Sequence, residues 1–457
     1  MNKSLSTWGI LAAIFVTAIA HAQTKPNIIF IMADDLGYGD LGVYGQQKIN
    51  TPYIDQLAKE GMRFTQFYSG STVCAPSRCS LMTGLNTGRA LVRGNERIPL
   101  RPEDFTVAEM LKNAGYTTAL CGKWGLGEPD TTGVPNKKGF DFFYGYLNQR
   151  NAHFYYPPFL WRNEQKEMLE GNDPDKQTGS YSNDLIAEEA LQFIERSKDQ
   201  PFFLYLALTI PHAELAVPEA SLLEYKGKFP EKPFPKRHYG AQETPHAAHA
   251  AMVSHMDRDV GRLLAKLEQV GVDNNTIIFF TSDNGPHKEG GHDPDFFDSN
   301  GPLRGLKRDL YEGGIRVPMI AWWPGVVPAT ATSEHVGAFW DILPTFADLA
   351  GQPTPKDIDG ISFFPTLVTK GLQKKHDALY WEFYEQGGKQ AVLMGDWKGI
   401  RLDAKKDPDG PIALYNLAED LGEETDVATQ NPKIVKQIEK LMESNTHPSE
   451  HYSFRRK

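Results

Sequence analysis

Cys74 is followed four residues later by Arg78, with Pro76 between them and Leu81, Met82 and Leu85 beyond. Proline favours a first helical turn, so this stretch predicts a helix whose N-terminus carries Cys74. A helix N-terminus and a nearby guanidinium both favour an anion, which would make Cys74 an activated nucleophile beside an anion site. The competing reading is a small buried thiol at a turn, the commoner fate of an isolated cysteine. Elsewhere, Ala33-Asp34-Asp35-Leu36-Gly37 sets two carboxylates side by side, a costly arrangement unless they are solvated or bound to a cation. Lys123 sits in Gly122-Lys123-Trp124-Gly125-Leu126-Gly127, where it could meet an anion at close range or be an ordinary turn lysine. Taken singly, His212 after Thr209-Ile210-Pro211 and the string Asp283-Asn284-Gly285 mark no more than loops.

The spacing is wrong for a cysteine-dependent phosphatase, whose arginine would fall at position 80, occupied here by Ser80. Cys74-Ala75-Pro76-Ser77-Arg78 with Thr83-Gly84 instead resembles the signature of the formylglycine-dependent sulfatases, in the alkaline phosphatase superfamily. Four further strings resemble that family in the same order: Asp34-Asp35, Gly122-Lys123-Trp124, Pro211-His212, and Asp283-Asn284-Gly285 with Leu303-Arg304-Gly305-Leu306-Lys307-Arg308 beyond. One departure stands out: Gly125 occupies the position of the family's usual histidine.

The resemblance implies that Cys74 is oxidised to formylglycine by a formylglycine-generating maturation enzyme. It implies that Asp34, Asp35, Asp283 and Asn284, with the residue at Cys74, hold a metal ion. This all-oxygen set suits Ca²⁺ or Mg²⁺ and is poor for zinc; calcium is the family's usual ion. Arg78, Lys123 and Lys307 would hold sulfate, Asp283 would accept the nucleophile's proton, and His212 or Lys307 would serve the departing alkoxide. With no histidine at 125, the proton released on regenerating the aldehyde needs another acceptor, for which His153, His287 and His292 are candidates. A phosphomonoester or phosphonate hydrolase, and a non-catalytic sugar-binding relative, are the competing readings.

These residues need a scaffold. Pro26 to Met32, Thr117 to Cys121, Pro201 to Leu208 and Thr276 to Phe280 are apolar, β-branched runs suited to buried parallel strands. Helices are predicted from Thr51-Pro52 to Gly61, after the capping box Thr106-x-x-Glu109, from Tyr181 to Arg196, and over a long segment ending at Gly271. The alternation predicts an α/β fold, a large mostly parallel sheet flanked by helices, with sites at strand C-terminal ends. From about residue 371 short alternating strands and a helix from Lys433 to Met442 predict a smaller antiparallel sheet-plus-helix domain. Residues 23–370 would form the catalytic domain and 371–457 this second one. The Pro- and Lys-rich stretch 219–245 reads as a surface excursion.

Between Tyr146 and Trp161, Asn148, Gln149, Arg150 and His153 lie among aromatics, a mixture suited to sugar binding, although such clusters are more often simply core. With His292, they are the expected contacts to a sulfated carbohydrate, and His153 is expected to project a ring into the space left at Gly125. Lys3, the apolar run Trp8 to Ala20 and Ala20-His21-Ala22 read as a signal peptide (1–22), predicting an exported, periplasmic or secreted protein with no membrane span. A net charge of −10 argues against a nucleic-acid partner. Cys79 and Cys121 could pair in an oxidising compartment or remain separate thiols.

Overall fold

The structure, a computed structural model, describes residues 25–454. The signal-peptide expectation lies outside the described residues. A ten-stranded sheet runs, edge to edge, through Ala331–Ser333, Met62–Phe64, Met319–Trp322, Thr276–Ser282, Asn27–Ala33, Phe202–Ala207, Thr117–Lys123, Phe142–Tyr146, Phe159–Arg162 and Gln165–Met168. From Thr276–Ser282 to Phe142–Tyr146 the neighbours are parallel. Antiparallel strands flank that centre, Met319–Trp322 on one side and Phe159–Arg162 on the other.

The two-residue period of the strands splits the core. Ile29, Ile31, Cys121, Leu204, Leu206, Ile278 and Phe280 face one layer, packed with residues of helices Ser182–Ser197 and Pro245–Val270. Ile28, Phe30, Leu120, Phe203, Tyr205, Ile277 and Phe279 face the other, with helices Cys74–Thr83, Val107–Asn113 and Ile342–Leu349. Cys79 lies in the second layer and Cys121 in the first, both as free buried thiols. The sheet between them rules out the disulfide left open by the sequence.

Local signals explain the helix limits. Thr106 accepts from the Glu109 backbone N–H at 3.2 Å, and Glu109 Oε2 accepts from the Thr106 N–H at 2.9 Å. That reciprocal pair starts Val107–Asn113. Gly271, at φ +74°, ends Pro245–Val270 in the left-handed conformation that glycine adopts without strain. Beyond the large sheet, Leu379–Phe383, Lys389–Met394, Trp397–Arg401 and Ile412–Asn416 form a four-stranded antiparallel sheet covered by helix Pro432–Asn445. Among the described residues no helix is long and apolar enough to cross a membrane.

Candidate active site

Four parallel strands deliver their polar residues to one end of the sheet. Asp34 and Asp35 follow Asn27–Ala33, Lys123 closes Thr117–Lys123, and Asp283 and Asn284 follow Thr276–Ser282. His212 lies five residues past Phe202–Ala207. The turns are stitched together: the Asp35 N–H donates to Asp283 Oδ1 at 3.1 Å, and the Leu36 N–H to Ser282 Oγ at 2.9 Å. Cys74 opens helix Cys74–Thr83, whose ten residues are all buried, and points its thiol at Asp34 Oδ1, 3.3 Å away. The Ala75 N–H of that first turn donates to Asn95 Oδ1 at 3.0 Å.

Three buried cations meet three buried carboxylates here. Arg78 donates from Nη2 to Asp283 Oδ2 at 2.8 Å, Lys123 Nζ to Asp34 Oδ2 at 2.6 Å, and Lys307 Nζ to Asp35 Oδ2 at 2.7 Å. Burial and Asp34 raise the Asp283 carboxyl above its usual range, against the pull of Arg78 and Lys123. For Lys307, burial favours the neutral amine, but Asp35 together with Cys74, Glu289 and Asp34 outweighs it and keeps the ammonium. Burial, then Asp283 and Asp34, push the Cys74 thiol well above its ordinary value. The helix-terminus activation expected for a thiolate is therefore reversed by burial and by the carboxylates around it.

His212 is held below its usual range by burial and then by His153 and Lys307. Its Nδ1 bonds the Ala213 carbonyl, so that nitrogen carries the proton, and Nε2 accepts from Lys307 Nζ at 2.9 Å. Asn284 donates from Nδ2 to Asp35 Oδ1 at 2.7 Å, while its Oδ1 is buried with no hydrogen-bond partner. An orphaned amide oxygen beside buried carboxylates fits a hard cation, for which it would complete the oxygen set.

Cys74, His153, His212, Lys307 and Arg150 line one cavity of about 450 Å³. His153 stacks on His212 with ring centroids 3.9 Å apart. It does not fill the space beside Gly125. That space is taken by Gln149, because a Cβ on Gly125 would stand 2.7 Å from Gln149 Cδ and Nε2. His292 is buried away from this cavity, stacked on His249 at 3.7 Å. His287 is committed to the backbone: its Nδ1 accepts from the Glu289 N–H at 3.0 Å, and its Nε2 reaches the Pro211 carbonyl at 3.2 Å. Tyr155 and Tyr156 are core residues, and the Tyr155 hydroxyl donates to the His212 carbonyl at 2.6 Å, supporting the loop from below.

The cavity also recruits Gln149, from the segment expected to bind sugar, and Asn95, Tyr239, Glu289 and Arg308, which the sequence assigned no role. Tyr239 comes from the supposed surface excursion, yet is buried and donates to Glu289 Oε2 at 2.8 Å. Glu289 also pairs with Arg308 at 2.7 Å. Glu289 and Arg308 stand 19 residues apart in the chain, so their meeting is tertiary.

Residues 26–352 match the family model described as Sulfatase, and 305–447 one described as N-sulphoglucosamine sulphohydrolase, C-terminal. The chain is 33% identical over 427 residues to the N-acetylgalactosamine-6-sulfatase of Rattus norvegicus, covering 86% of this chain and 73% of that protein. To the steryl-sulfatase of Homo sapiens it is 32% identical, covering 79% and 73%. The crystal structure of Ps i-CgsB in complex with k-i-k-neocarrahexaose is similar at a TM-score of 0.80 and 30% identity, covering 93% of each chain. A family match spanning most of the chain, joined by relatives at about a third identity along most of its length, means that this protein belongs to the sulfatase family and is a sulfuric ester hydrolase.

Proposed function

We propose that the protein removes sulfate from a sulfated carbohydrate, with Cys74 in its formylglycine form and a calcium ion at Asp34, Asp35, Asp283 and Asn284. The observation that carries this reading is the buried, balanced cluster of three carboxylates and three cations around position 74. Buried charges are expensive unless compensated, and such a cluster accepts a cation together with an anion more readily than either alone. Formylglycine would supply a geminal diol, one hydroxyl to attack sulfur and the other to release sulfate. Calcium would supply a positive charge facing the ester oxygens.

The chain's own groups do the rest. Arg78, Lys123 and Lys307 stabilise negative charge gathering on the sulfuryl oxygens. Asp283, its carboxyl raised by burial and Asp34, accepts the nucleophile's proton. Lys307 keeps an ammonium and donates to His212, so Lys307 rather than neutral His212 is the proton source for the leaving alkoxide. The carbohydrate class is supported by a relative named for N-acetylgalactosamine and by the oligosaccharide in the Ps i-CgsB structure. A steryl-sulfatase at similar identity means that family likeness does not choose the alcohol. The open, polar cavity beyond the cations, edged by Arg150, His153 and Tyr239, does so. Export would bring the enzyme to polysaccharides and follow conversion by the maturation enzyme.

The test combines three readouts on protein made in a host that carries the maturation enzyme. The peptide containing Cys74 should have the mass of formylglycine, a chelator should abolish turnover with calcium restoring it, and sulfated saccharides should be hydrolysed in preference to the matching phosphate esters. Active protein with an unmodified Cys74 would overturn the nucleophile. Full activity without metal would overturn the ion, and preference for phosphate would overturn the ester.

A further inference from the structure

We infer that Gln149 reads a sugar hydroxyl next to the scissile sulfate, and so selects the substrate. The inference rests on the carbohydrate reading above. Its position follows from the sheet. The parallel pairing of Thr117–Lys123 with Phe142–Tyr146 continues past both strands, the Trp124 N–H donating to the Tyr146 carbonyl at 2.9 Å and the Gly125 N–H to the Leu147 carbonyl at 3.0 Å. Gln149, two residues further, therefore lies over Gly125, whose missing side chain makes room for it.

The loop around it is fixed from outside the cavity. Asn148 Oδ1 accepts from the Arg150 N–H at 2.9 Å, and its Nδ2 donates to Glu128 Oε1 at 2.6 Å. Gln149 lines the cavity shared by Cys74 and Lys307, and also the adjoining recess formed with Gly127 and Glu128. Both of its amide heteroatoms are buried, and neither has a hydrogen-bond partner. An orphaned donor and acceptor together cost stability, so the position makes physical sense where a ligand completes both.

The kind of ligand follows from the hydrogen-bond inventory. Sulfate oxygens only accept; they would satisfy Nε2 and leave Oε1 bare. A hydroxyl both donates and accepts, and vicinal hydroxyls present the two functions at amide spacing. The anion already has Arg78, Lys123 and Lys307, whereas a neutral amide beside them matches the uncharged part of the substrate. An amide takes no proton at neutral pH, so Gln149 is not a substitute base for the imidazole missing at position 125.

The test uses the mature enzyme, Gln149→Met (similar length, no hydrogen bonds) and Gly125→Ala, whose Cβ would push the amide aside from a backbone at φ +82°. Substrates are mono-sulfated galactose, glucose and their N-acetylamino forms, with 4-nitrophenyl sulfate as a hydroxyl-free comparator and inorganic sulfate as inhibitor. For the preferred saccharide, kcat/KM should fall on the order of tenfold or more in Gln149→Met, and in the same direction in Gly125→Ala. Inhibition by inorganic sulfate should weaken by less than about twofold, since the cations that bind it are untouched. An undiminished kcat/KM in Gln149→Met, or a loss matched by equal weakening of sulfate inhibition, overturns the inference while leaving the carbohydrate reading in place. A wild type that hydrolyses 4-nitrophenyl sulfate and no saccharide overturns both.

Discussion

Lys307 is bound to Asp35 and His212 at once, and its ammonium is kept against burial by Asp35 and the other negative groups around it. Under the proposed function this arrangement would give the lysine two separable duties, holding the anion and protonating the leaving oxygen. Aryl sulfates expel a stable phenolate, whereas saccharide sulfates expel a basic alkoxide that needs the proton. Lys307→Ala should therefore cost turnover of a saccharide sulfate about 10²- to 10⁴-fold, the usual range for a lost general acid, and cost an aryl sulfate much less. Equal losses on both substrates would leave Lys307 with sulfate binding alone. At this scale the sequence was most readable where the clustered residues lie in contiguous strings at strand ends, as with Asp34-Asp35 and Asp283-Asn284. It was least readable at Tyr239 and Glu289, which come from separate stretches and matter through the neighbours they meet. His153 shows the same limit: its place in the cavity was legible, but its stacking on His212 required the fold.

Elements carry the second kind of information. Continuous apolar runs identified the central strands because parallel strands are buried on both faces, and the capping box located a helix start to the residue. The edges were harder: Met62–Phe64 and Ala331–Ser333 are only three residues each and carry no alternation long enough to read. The seam against the second sheet was also invisible: beside an apolar cluster in which Tyr68 and Trp340 pack with Trp381 and Ile400, it holds buried charges that come from separate stretches of the chain. Lys398, on Trp397–Arg401, donates to Glu312 Oε1 at 2.7 Å and lies 3.4 Å from Glu423 Oε1, all three side chains buried. Glu312 is further bonded by the Tyr68 hydroxyl at 2.8 Å and by Arg316 at 3.2 Å. Removing one member of such a cluster strands the others without water. Lys398→Met should lower stability by about 3–5 kcal/mol, read as a fall in the denaturation midpoint. A loss below about 1 kcal/mol would class the contact with exposed ion pairs and refute its role as a clasp.

For the whole molecule, the same seam ties stability to pH. Burial pushes the Glu423 carboxyl up to about 7; Lys398 pulls it down, and Glu312 adds to the rise. Oε2 accepts from the Glu312 N–H at 2.7 Å, while Oε1 faces Lys398 Nζ at 3.4 Å, so a proton there gives up that ion pair and relieves the repulsion from Glu312. The folded protein thus keeps a proton that an unfolded glutamate releases near its ordinary value of about 4.3. Stability from this group is complete below that value and is lost as pH rises through about 7. Asp257 and Asp259, raised by burial to about 7 and about 6, act with the same sign, so the wild-type slope alone does not isolate Glu423. The difference between wild type and Glu423→Gln does, because a glutamine holds the neutral form at every pH. The variant's denaturation midpoint should fall less steeply than the wild type's from pH 5 to pH 7, the gap between the two curves widening over that range and levelling off above about pH 7. Parallel curves would mean that Glu423 is already ionised at pH 5, with Lys398 shared evenly between two carboxylates. In that case the clasp would be a fixed ion network, and acid rather than base would loosen the C-terminal sheet from the catalytic one.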